Sequence, residues 1–293
     1  MITKCGVVGQ GFVGTAVREG LRNSFQVVTY DIKQPDDLVV YSATGTETIP
    51  AIDRLNKLVE TTDGPIFVCL PTPMKPDGSC DISIVEGVVK DINECAPNRV
   101  VAIKSTIPPG TTDYLNTSYT SVYVCFNPEF LRERSAIEDF KNQERIVIGG
   151  PYEATDEVKQ VYQIAFPNVS ITRTNAVTAE MVKYITNCFL ATKVSFANEV
   201  KQICDKLDID YDRVIEIATK DSRLGTSHWG VPGNDGTGLC GFSGSCFPKD
   251  LNGLMYLARE LKIDPKVMQA VWDKNLEIRP EKDWEKMIGR AVV

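Results

Sequence analysis

Near its start the chain reads Val7-Val8-Gly9-Gln10-Gly11-Phe12-Val13-Gly14, a G-x-G-x-x-G pattern. It follows a β-branched run at 2–8 and opens an amphipathic stretch at 13–22, so it sits between a strand and a helix. Each glycine answers a steric demand: Gly9 allows a tight turn, Gly11 lets backbone approach a pyrophosphate, and Gly14 lets helix pack against strand. The helix that follows offers unpaired N–H groups and the positive end of its dipole to phosphates. Asp31 ends the second strand, where its carboxylate accepts ribose hydroxyls and repels a 2′-phosphate. This favours NAD over NADP, with Lys33 nearby keeping NADP open. Gly9, Gln10, Gly11, Phe12, Val13, Gly14, Asp31 and Lys33 are thus candidate cofactor contacts. The alternative reading is turn glycines beside a surface aspartate.

The rest of the first half repeats the alternation. Strands are expected at 2–8, 26–30, 66–70, 100–104, 122–125 and 145–148. Helices are expected at 13–22, 52–60, 82–94, around 114–116 and at 153–166. The runs 66–70 and 100–103 are apolar throughout, as in strands covered on both faces. After about residue 174, the stretch 178–207 has no Gly or Pro. It carries an apolar stripe of Met181, Tyr184, Ile185, Cys188, Phe189, Phe196, Val200 and Ile203 at helical spacing. Helices are expected next at 212–220, 250–261, 265–277 and 280–290. The expected fold is α/β: an N-terminal Rossmann-type doubly wound sheet, a long linking helix and a small all-helical domain. Boundaries fall at 1–175 and 176–293.

With 43% hydrophobic and 24% charged residues, the 293-residue chain has an ordinary globular composition. A net charge of −7 without a basic cluster argues against nucleic acid as a partner. No apolar run is long enough to span a bilayer, and no signal-peptide core follows Met1. Nine cysteines, an odd number without a C-x-x-C pair, argue against a disulfide framework and a metal site, and for reduced thiols in the cytoplasm. Cys5, Cys69, Cys125, Cys188 and Cys204 fall in strands or on the helix stripe and read as core. Cys246 differs. It lies in Gly241-Phe242-Ser243-Gly244-Ser245-Cys246-Phe247-Pro248-Lys249-Asp250, after a glycine-rich loop and before an expected helix start at Asp250. A helix N-terminus favours thiolate, and Asp250 reads as an N-cap or a proton acceptor. A buried structural cysteine beside an ordinary cap is the competing reading.

The 241–250 segment resembles the catalytic loop of the UDP-glucose and GDP-mannose dehydrogenase family, G-F-G-G-x-C-x-P-K-D. Further matches fall in the family's order: Leu70-Pro71-Thr72-Pro73, Lys104-Ser105-Thr106-Ile107-Pro108-Pro109-Gly110-Thr111, Asn127-Pro128-Glu129-Phe130-Leu131-Arg132-Glu133, and Glu180-Met181-Val182-Lys183-Tyr184-Ile185-Thr186-Asn187. The resemblance implies NAD-dependent, two-step oxidation of a nucleotide-sugar C6 alcohol to the uronic acid, with UDP-glucose the expected substrate. Cys246 would trap the aldehyde, pass through a thioester and release the acid on hydrolysis. Lys183 and Asn187, at i and i+4, would meet the substrate oxygen. Thr106 would hold a water with Asp250, and Glu129 would be the acid/base for hydrolysis. Glu133 would lie near the nicotinamide. Phe130, Leu131, Arg132, Gly241 and Gly244 would contact the sugar nucleotide. Pro71, Thr72 and Ser105 lie just past their strands, where ligands bind in open α/β sheets, and are candidate cofactor contacts with Thr106. Arg279 follows Asn275 at the family's spacing for a cofactor arginine; a solvated helix-end arginine is the alternative. His228, the sole histidine, and Trp229 are expected to line the substrate pocket or to be plain loop residues.

The chain departs from the family pattern at Ser243, where glycine is usual, and at Gln10, where a small residue is usual. If position 243 needs positive φ, serine there carries a cost. Full relatives continue into a third, nucleotide-binding domain that is expected to be absent here, with residues 233–238 a possible partial substitute. Two other functions stay open: an NAD-binding subunit without independent catalysis, and a one-step 3-hydroxyacid-type dehydrogenase, which needs no nucleophilic cysteine. A homodimer packed on the long helix is expected.

Overall fold

The computed structural model describes residues 2–34, 37–51, 53–233 and 236–293. The expected helix start at Ile52 and the Asn234-Asp235 centre of the 233–238 segment lie outside them. The strands are β1 (Lys4–Val8), β2 (Gln26–Tyr30), β3 (Asp37–Ser42), β4 (Gly45–Pro50), β5 (Ile66–Val68), β6 (Arg99–Ile103), β7 (Val122–Phe126), β8 (Arg145–Gly149) and β9 (Ser170–Thr174). The helices are α1 (Phe12–Leu21), α2 (Arg54–Thr61), α3 (Ser83–Cys95), α4 (Thr111–Ser118), α5 (Ala136–Lys141), α6 (Tyr152–Ala165), α7 (Ala176–Leu207), α8 (Tyr211–Ala218), α9 (Phe247–Glu260) and α10 (Lys266–Ile278). The chain divides into two compact units. One comprises Met1–Thr72 and Ile82–Lys183; the other, Pro73–Asp81 and Tyr184–Val293.

The first unit holds a nine-stranded sheet in the order β4-β3-β2-β1-β5-β6-β7-β8-β9. β2, β1, β5, β6 and β7 run parallel, as do β8 and β9. β3 and β4 are antiparallel additions at one edge, and β8 meets β7 antiparallel. Alternate side chains feed two cores, as the twofold period of a strand demands. Val8, Ile66, Val68, Val101, Ile103 and Val124 pack against α2, α3 and α4 through Leu58, Val89 and Leu115. Val7, Phe67, Val100, Ala102 and Cys125 pack on the opposite face against α1, α5 and α6 through Val17, Phe140 and Tyr162. Both faces are therefore covered, and β1 lies at the point where the strand order reverses.

The second unit is helical. The buried residues Ala191, Val194, Ala197 and Cys204 of α7, Tyr211 of α8, Leu251 and Met255 of α9 and Val271 of α10 lie in it. Phe242, Phe247, Trp272 and Trp284 form a chain of ring contacts, with Trp272 and Trp284 centroids 5.4 Å apart. The expected helix at 280–290 does not form; a 3₁₀ turn spans Asp283–Lys286. Lys282, at φ 42°, turns the chain left-handed just before it, and Gly289, at φ 73°, does so after it. No helix among the described residues is long and apolar enough to cross a membrane.

Candidate active site

The glycine turn lies at the carboxyl end of β1, where ligands bind in open α/β sheets. At Gly9, φ is +90° and a Cβ would sit 2.4 Å from the Cys69 carbonyl oxygen; at Gly14 a Cβ would sit 1.8 Å from the Gly9 carbonyl oxygen. Gly11 is the reverse case. It is the N-cap of α1, and a Cβ there would meet nothing within 4 Å. Asp31 is held from two sides, with Oδ2 accepting from the Gln10 amide at 2.6 Å and Oδ1 from the Lys33 amide at 2.8 Å. The Gln10 side chain folds back, donating to the Gly9 carbonyl and accepting from Arg18 Nη1, so its bulk lies on the loop and α1. Phe12 and Val13 begin α1 half-buried. Beyond β5 and β6, Ser105 Oγ accepts from the Leu70 amide at 2.9 Å, and Thr72 Oγ1 donates to the Thr106 carbonyl at 2.7 Å. Thr72, Ser105 and Thr106 are buried and Pro71 is exposed. A turn shaped by steric contact at Gly9 and Gly14, open over Gly11 and flanked by a fixed carboxylate, fits a dinucleotide.

Also in the first unit, the turn after β7 carries Asn127, Pro128 and Glu129. Lys104 is buried beneath it, with Nζ 3.0 Å from Asn127 Oδ1 and 3.2 Å from the Asn127 carbonyl. Tyr162 OH donates to the same Oδ1 at 2.6 Å, and Asn127 Nδ2 reaches the Val147 carbonyl. Burial holds the Lys104 ammonium down to about 8, against the upward pull of Cys69 and Glu129. Lys183 Nζ donates to the Glu129 carbonyl at 2.6 Å and pairs with its Oε1 at 3.0 Å, while Glu129 Oε2 accepts from the Leu131 amide. Both side chains of this pair are buried. A cavity of about 300 Å³ is lined by Lys104, Glu129, Phe130, Leu131, Phe140 and Arg145 among others. Arg132 is exposed and paired with Asp139, and Glu133 is exposed at the start of a 3₁₀ turn. The buried Glu180 caps α4, accepting from the amides of Gly110 and Thr112 and from Thr112 Oγ1.

In the second unit Cys246 is itself the N-cap residue of α9. This corrects the expected start at Asp250. Pro248 occupies the first turn, where its missing N–H costs nothing, so the helix begins at Phe247. Asp250 is a buried first-turn acid, not the cap. Its Oδ2 accepts from Asn187 Nδ2 at 2.5 Å, its Oδ1 pairs with Lys249 Nζ at 2.5 Å, and its carbonyl faces Cys188 Sγ. Burial pushes Lys249 down, yet chiefly the adjoining Asp250 carboxylate holds it above its ordinary value, so the first turn of α9 carries a buried cation. Ser245 Oγ lies 3.8 Å from the Cys246 sulfur. Cys246 is partly accessible. Burial pushes the thiols of Cys5, Cys125 and Cys188 upward, and that of Cys69 up to about 12. At Gly241 φ is +75° and at Gly244 +79°, whereas Ser243 is not left-handed, so the condition for strain there is not met. Arg279 is fully buried, which removes the solvated helix-end reading. The ring of Trp229 is covered by Lys193 Nζ at 4.9 Å and by Phe196, and the His228 ring lies 5.8 Å from that of Phe247.

The geometry thus joins Lys183 to Glu129 in one unit and Asn187 to Asp250 in the other, with Lys183 and Asn187 one turn apart on α7. Thr106 lies in the first unit and Asp250 in the second. Sequence reasoning missed Lys104, Lys249, Asn275 and Asp283. A lysine at a buried strand end and an asparagine inside a helix stripe were the available signals.

Two family models match the chain. The NAD-binding domain of the UDP-glucose/GDP-mannose dehydrogenase family covers residues 3–166, and the central domain of that family covers residues 177–277. A UDP-glucose 6-dehydrogenase of Rickettsia bellii is 36% identical over 229 residues, 76% of this chain and 51% of the relative. One of Haloferax volcanii is 31% identical over 303 residues, 92% of this chain and 68% of the relative. The structure of a UDP-glucose dehydrogenase from Pyrobaculum islandicum matches with a TM-score of 0.81 and 30% identity, over 96% of this chain and 69% of that one. The chain spans about half the length of several curated relatives. The NAD-binding and central domains follow one another here in the family's order, and the chain belongs to the UDP-glucose/GDP-mannose dehydrogenase family.

Proposed function

We propose that the protein oxidises the C6 alcohol of a nucleotide sugar to the acid, with UDP-glucose the first substrate to test. The observation that carries this reading is the N-terminus of α9. It joins a partly accessible thiol at the N-cap to a buried carboxylate on Asn187 and a buried cation. NAD held at the Gly9–Gly14 turn supplies the hydride acceptor, two equivalents per sugar. Gly11 leaves backbone open to the pyrophosphate and Asp31 takes the ribose hydroxyls; Thr72, Ser105, Thr106, Glu133 and Arg279 are the further cofactor contacts the family pattern proposes.

When the alcohol loses a hydride, its oxygen must lose a proton. Lys183 and Asn187 then donate hydrogen bonds to the oxygen as it gains charge. Cys246 adds its sulfur to the resulting aldehyde carbon, favoured as an anion by the helix dipole and Lys249. Loss of a second hydride converts that adduct to a thioester, and water cleaves the C–S bond to give acid and thiol. Asp250 and Thr106 are the proton-handling residues the family pattern proposes, and Glu129 takes a proton from the hydrolytic water. Phe130, Leu131, Arg132, Gly241 and Gly244 contact the sugar nucleotide. The functional species is proposed as a cytoplasmic homodimer.

The test mixes the protein with UDP-glucose and NAD and follows NADH at 340 nm. Turnover is expected, at two NADH per acid formed. Cys246→Ser should stop acid formation, whereas a one-step dehydrogenase would keep most of its rate. NAD binding without NADH from any UDP- or GDP-sugar would refute the proposal and leave a cofactor-binding subunit.

A further inference from the structure

The segment that delivers Cys246 to α9 has little regular structure, yet it is tied down from several sides within the second unit. Asn198 Oδ1 accepts from the Gly241 amide at 3.3 Å. Asn275 brackets Phe242, accepting from its amide at 2.8 Å and donating to its carbonyl at 3.0 Å. One residue on, Ser243 Oγ donates to Asp283 Oδ1 at 2.6 Å. Arg279 grips the same carboxylate through Nε and Nη2, each at 2.8 Å. It also reaches back to the Cys240 carbonyl at 3.3 Å and Thr237 Oγ1 at 3.2 Å. Arg279 is wholly buried, while the Asp283 carboxylate it pairs with is 28% exposed.

We infer that Ser243, Asp283 and Arg279 form a latch that fixes the 241–246 segment and thereby positions the Cys246 sulfur for capture of the aldehyde. The inference rests on the proposed oxidation and deepens it; the three are positioning residues. Its ground is where the anchors stop. After Ser243 comes Gly244, left-handed and with nothing within 4 Å of its Cβ position, so no side-chain contact restrains this residue, which serves as the hinge in the inference. Ser243 is the last side-chain anchor before that hinge, and Cys246 follows two residues beyond the glycine. A glycine at 243, as the family loop usually has, cannot make the bond to Asp283. Asp283 in turn pairs with the guanidinium that reaches the Cys240 carbonyl and Thr237 ahead of the Gly241-Phe242 turn, so the chain is tied on the near side through Arg279 and on the far side through Ser243. The carboxyl of Asp283 is held down to about 2, by Arg279 chiefly and by Ser243 as well, so the latch stays charged at any working pH.

Two measurements on the full chain test this. Hydrogen–deuterium exchange on the ligand-free protein should show residues 241–246 exchanging about fivefold faster or more in Ser243→Ala and in Asp283→Asn, with α9 unchanged. Ser243→Thr, which restores a hydroxyl, should return exchange to within twofold of the parent. Equal exchange in parent and alanine variant would overturn the latch. The second measurement counts products from UDP-glucose and NAD. Loss of one hydride and one proton gives aldehyde and one NADH; only the second oxidation gives acid and the other NADH. A misplaced sulfur lets aldehyde escape, so NADH per acid should rise above two in Ser243→Ala. Hydroxylamine should trap the difference as an oxime, and KM for NAD should stay within twofold. A ratio fixed at two with kcat within twofold in the alanine variant would overturn the positioning role. If the parent turns over no nucleotide sugar, the proposed oxidation fails, and exchange alone decides the latch.

Discussion

Burial of the Lys104 ammonium has a signed consequence for stability. The folded-state value is about 8, below the ordinary lysine range. Between about pH 8 and pH 10 the unfolded chain keeps a proton that the folded chain has released, so this group's contribution to stability rises with pH. Below pH 8 both states are protonated and the full cost of burying the cation is carried. Urea unfolding at pH 7.5 and 9.5 should show the parent gaining about 1–2 kcal/mol relative to Lys104→Met across that interval. A parent-minus-variant difference that ignores pH would refute the assignment. The glycine turn offers a second contrast at this scale. Gly14→Ala forces a Cβ onto the Gly9 carbonyl at 1.8 Å and should cost several kcal/mol by displacing α1, roughly 2–4. Gly11→Ala meets nothing within 4 Å, so it should cost about 1 kcal/mol or less and yet weaken NAD at least tenfold by isothermal titration. These two roles were legible from spacing alone, because each glycine answers a local steric demand. Lys104 was not. Its burial depends on Asn127 and Tyr162, which lie 23 and 58 positions away, and no local pattern encodes that meeting.

At the scale of elements, the strands read correctly, β1, β2, β5, β6, β7 and β8, each hold at least three consecutive buried positions, and burial on both faces makes 66–70 and 100–103 apolar throughout. Three strands were missed, and of these β3 carries the apolar run Leu38-Val39-Val40-Tyr41, so its sequence signal was present, whereas β4 and β9 lack one. β4 is Gly45-Thr46-Glu47-Thr48-Ile49-Pro50 and almost wholly exposed, and β9 is Ser170-Ile171-Thr172-Arg173-Thr174 at the other edge. Edge strands face solvent on one or both sides, so polarity hides them. The reverse error is the helix expected at 280–290, where the left-handed Lys282 and the burial of Trp284 go with a short 3₁₀ turn instead. The long helix was legible in extent, since nothing in 178–207 breaks it. Its two faces separate in the structure. Tyr184, Cys188, Ala191 and Val194 are buried, while Ile185, Phe189, Phe196, Ile203 and Leu207 remain 54% to 64% exposed along the other side. A row of apolar side chains at helical spacing left to water is the kind of surface that a partner covers, which supports the proposed homodimer. The double variant Phe189→Glu and Phe196→Glu should elute and scatter light as a monomer, whereas the parent should give twice the chain mass. A parent that is monomeric at micromolar concentration would remove the dimer.

For the whole molecule, the division into a sheet unit and a helical unit confines the dinucleotide turn to the first, and with it the choice between cofactors. Asp31 is the residue proposed to make that choice, by geometry as well as charge. Both its oxygens already accept backbone N–H groups, from Gln10 and Lys33, so the carboxylate cannot rotate away from an incoming 2′-phosphate without breaking them. The remaining lone pairs still accept ribose hydroxyls. A ligand that binds only folded protein raises stability by about 2.7 kcal/mol at a hundredfold excess over its Kd. For a chain of this size that corresponds to a Tm rise on the order of 5 °C. NAD should give a shift of that order by differential scanning fluorimetry, and NADP at equal concentration a clearly smaller one. Asp31→Ser removes the repelling charge while keeping a hydroxyl for the ribose, so it should shrink the NAD shift and bring the two cofactors within about twofold in affinity. Were NADP to match NAD in the parent, Lys33 rather than Asp31 would govern the pocket, and Lys33→Gln would then be the variant that lowers NADP alone. The order NAD above NADP in the parent, lost in Asp31→Ser, ties cofactor choice to one carboxylate fixed by the turn it faces.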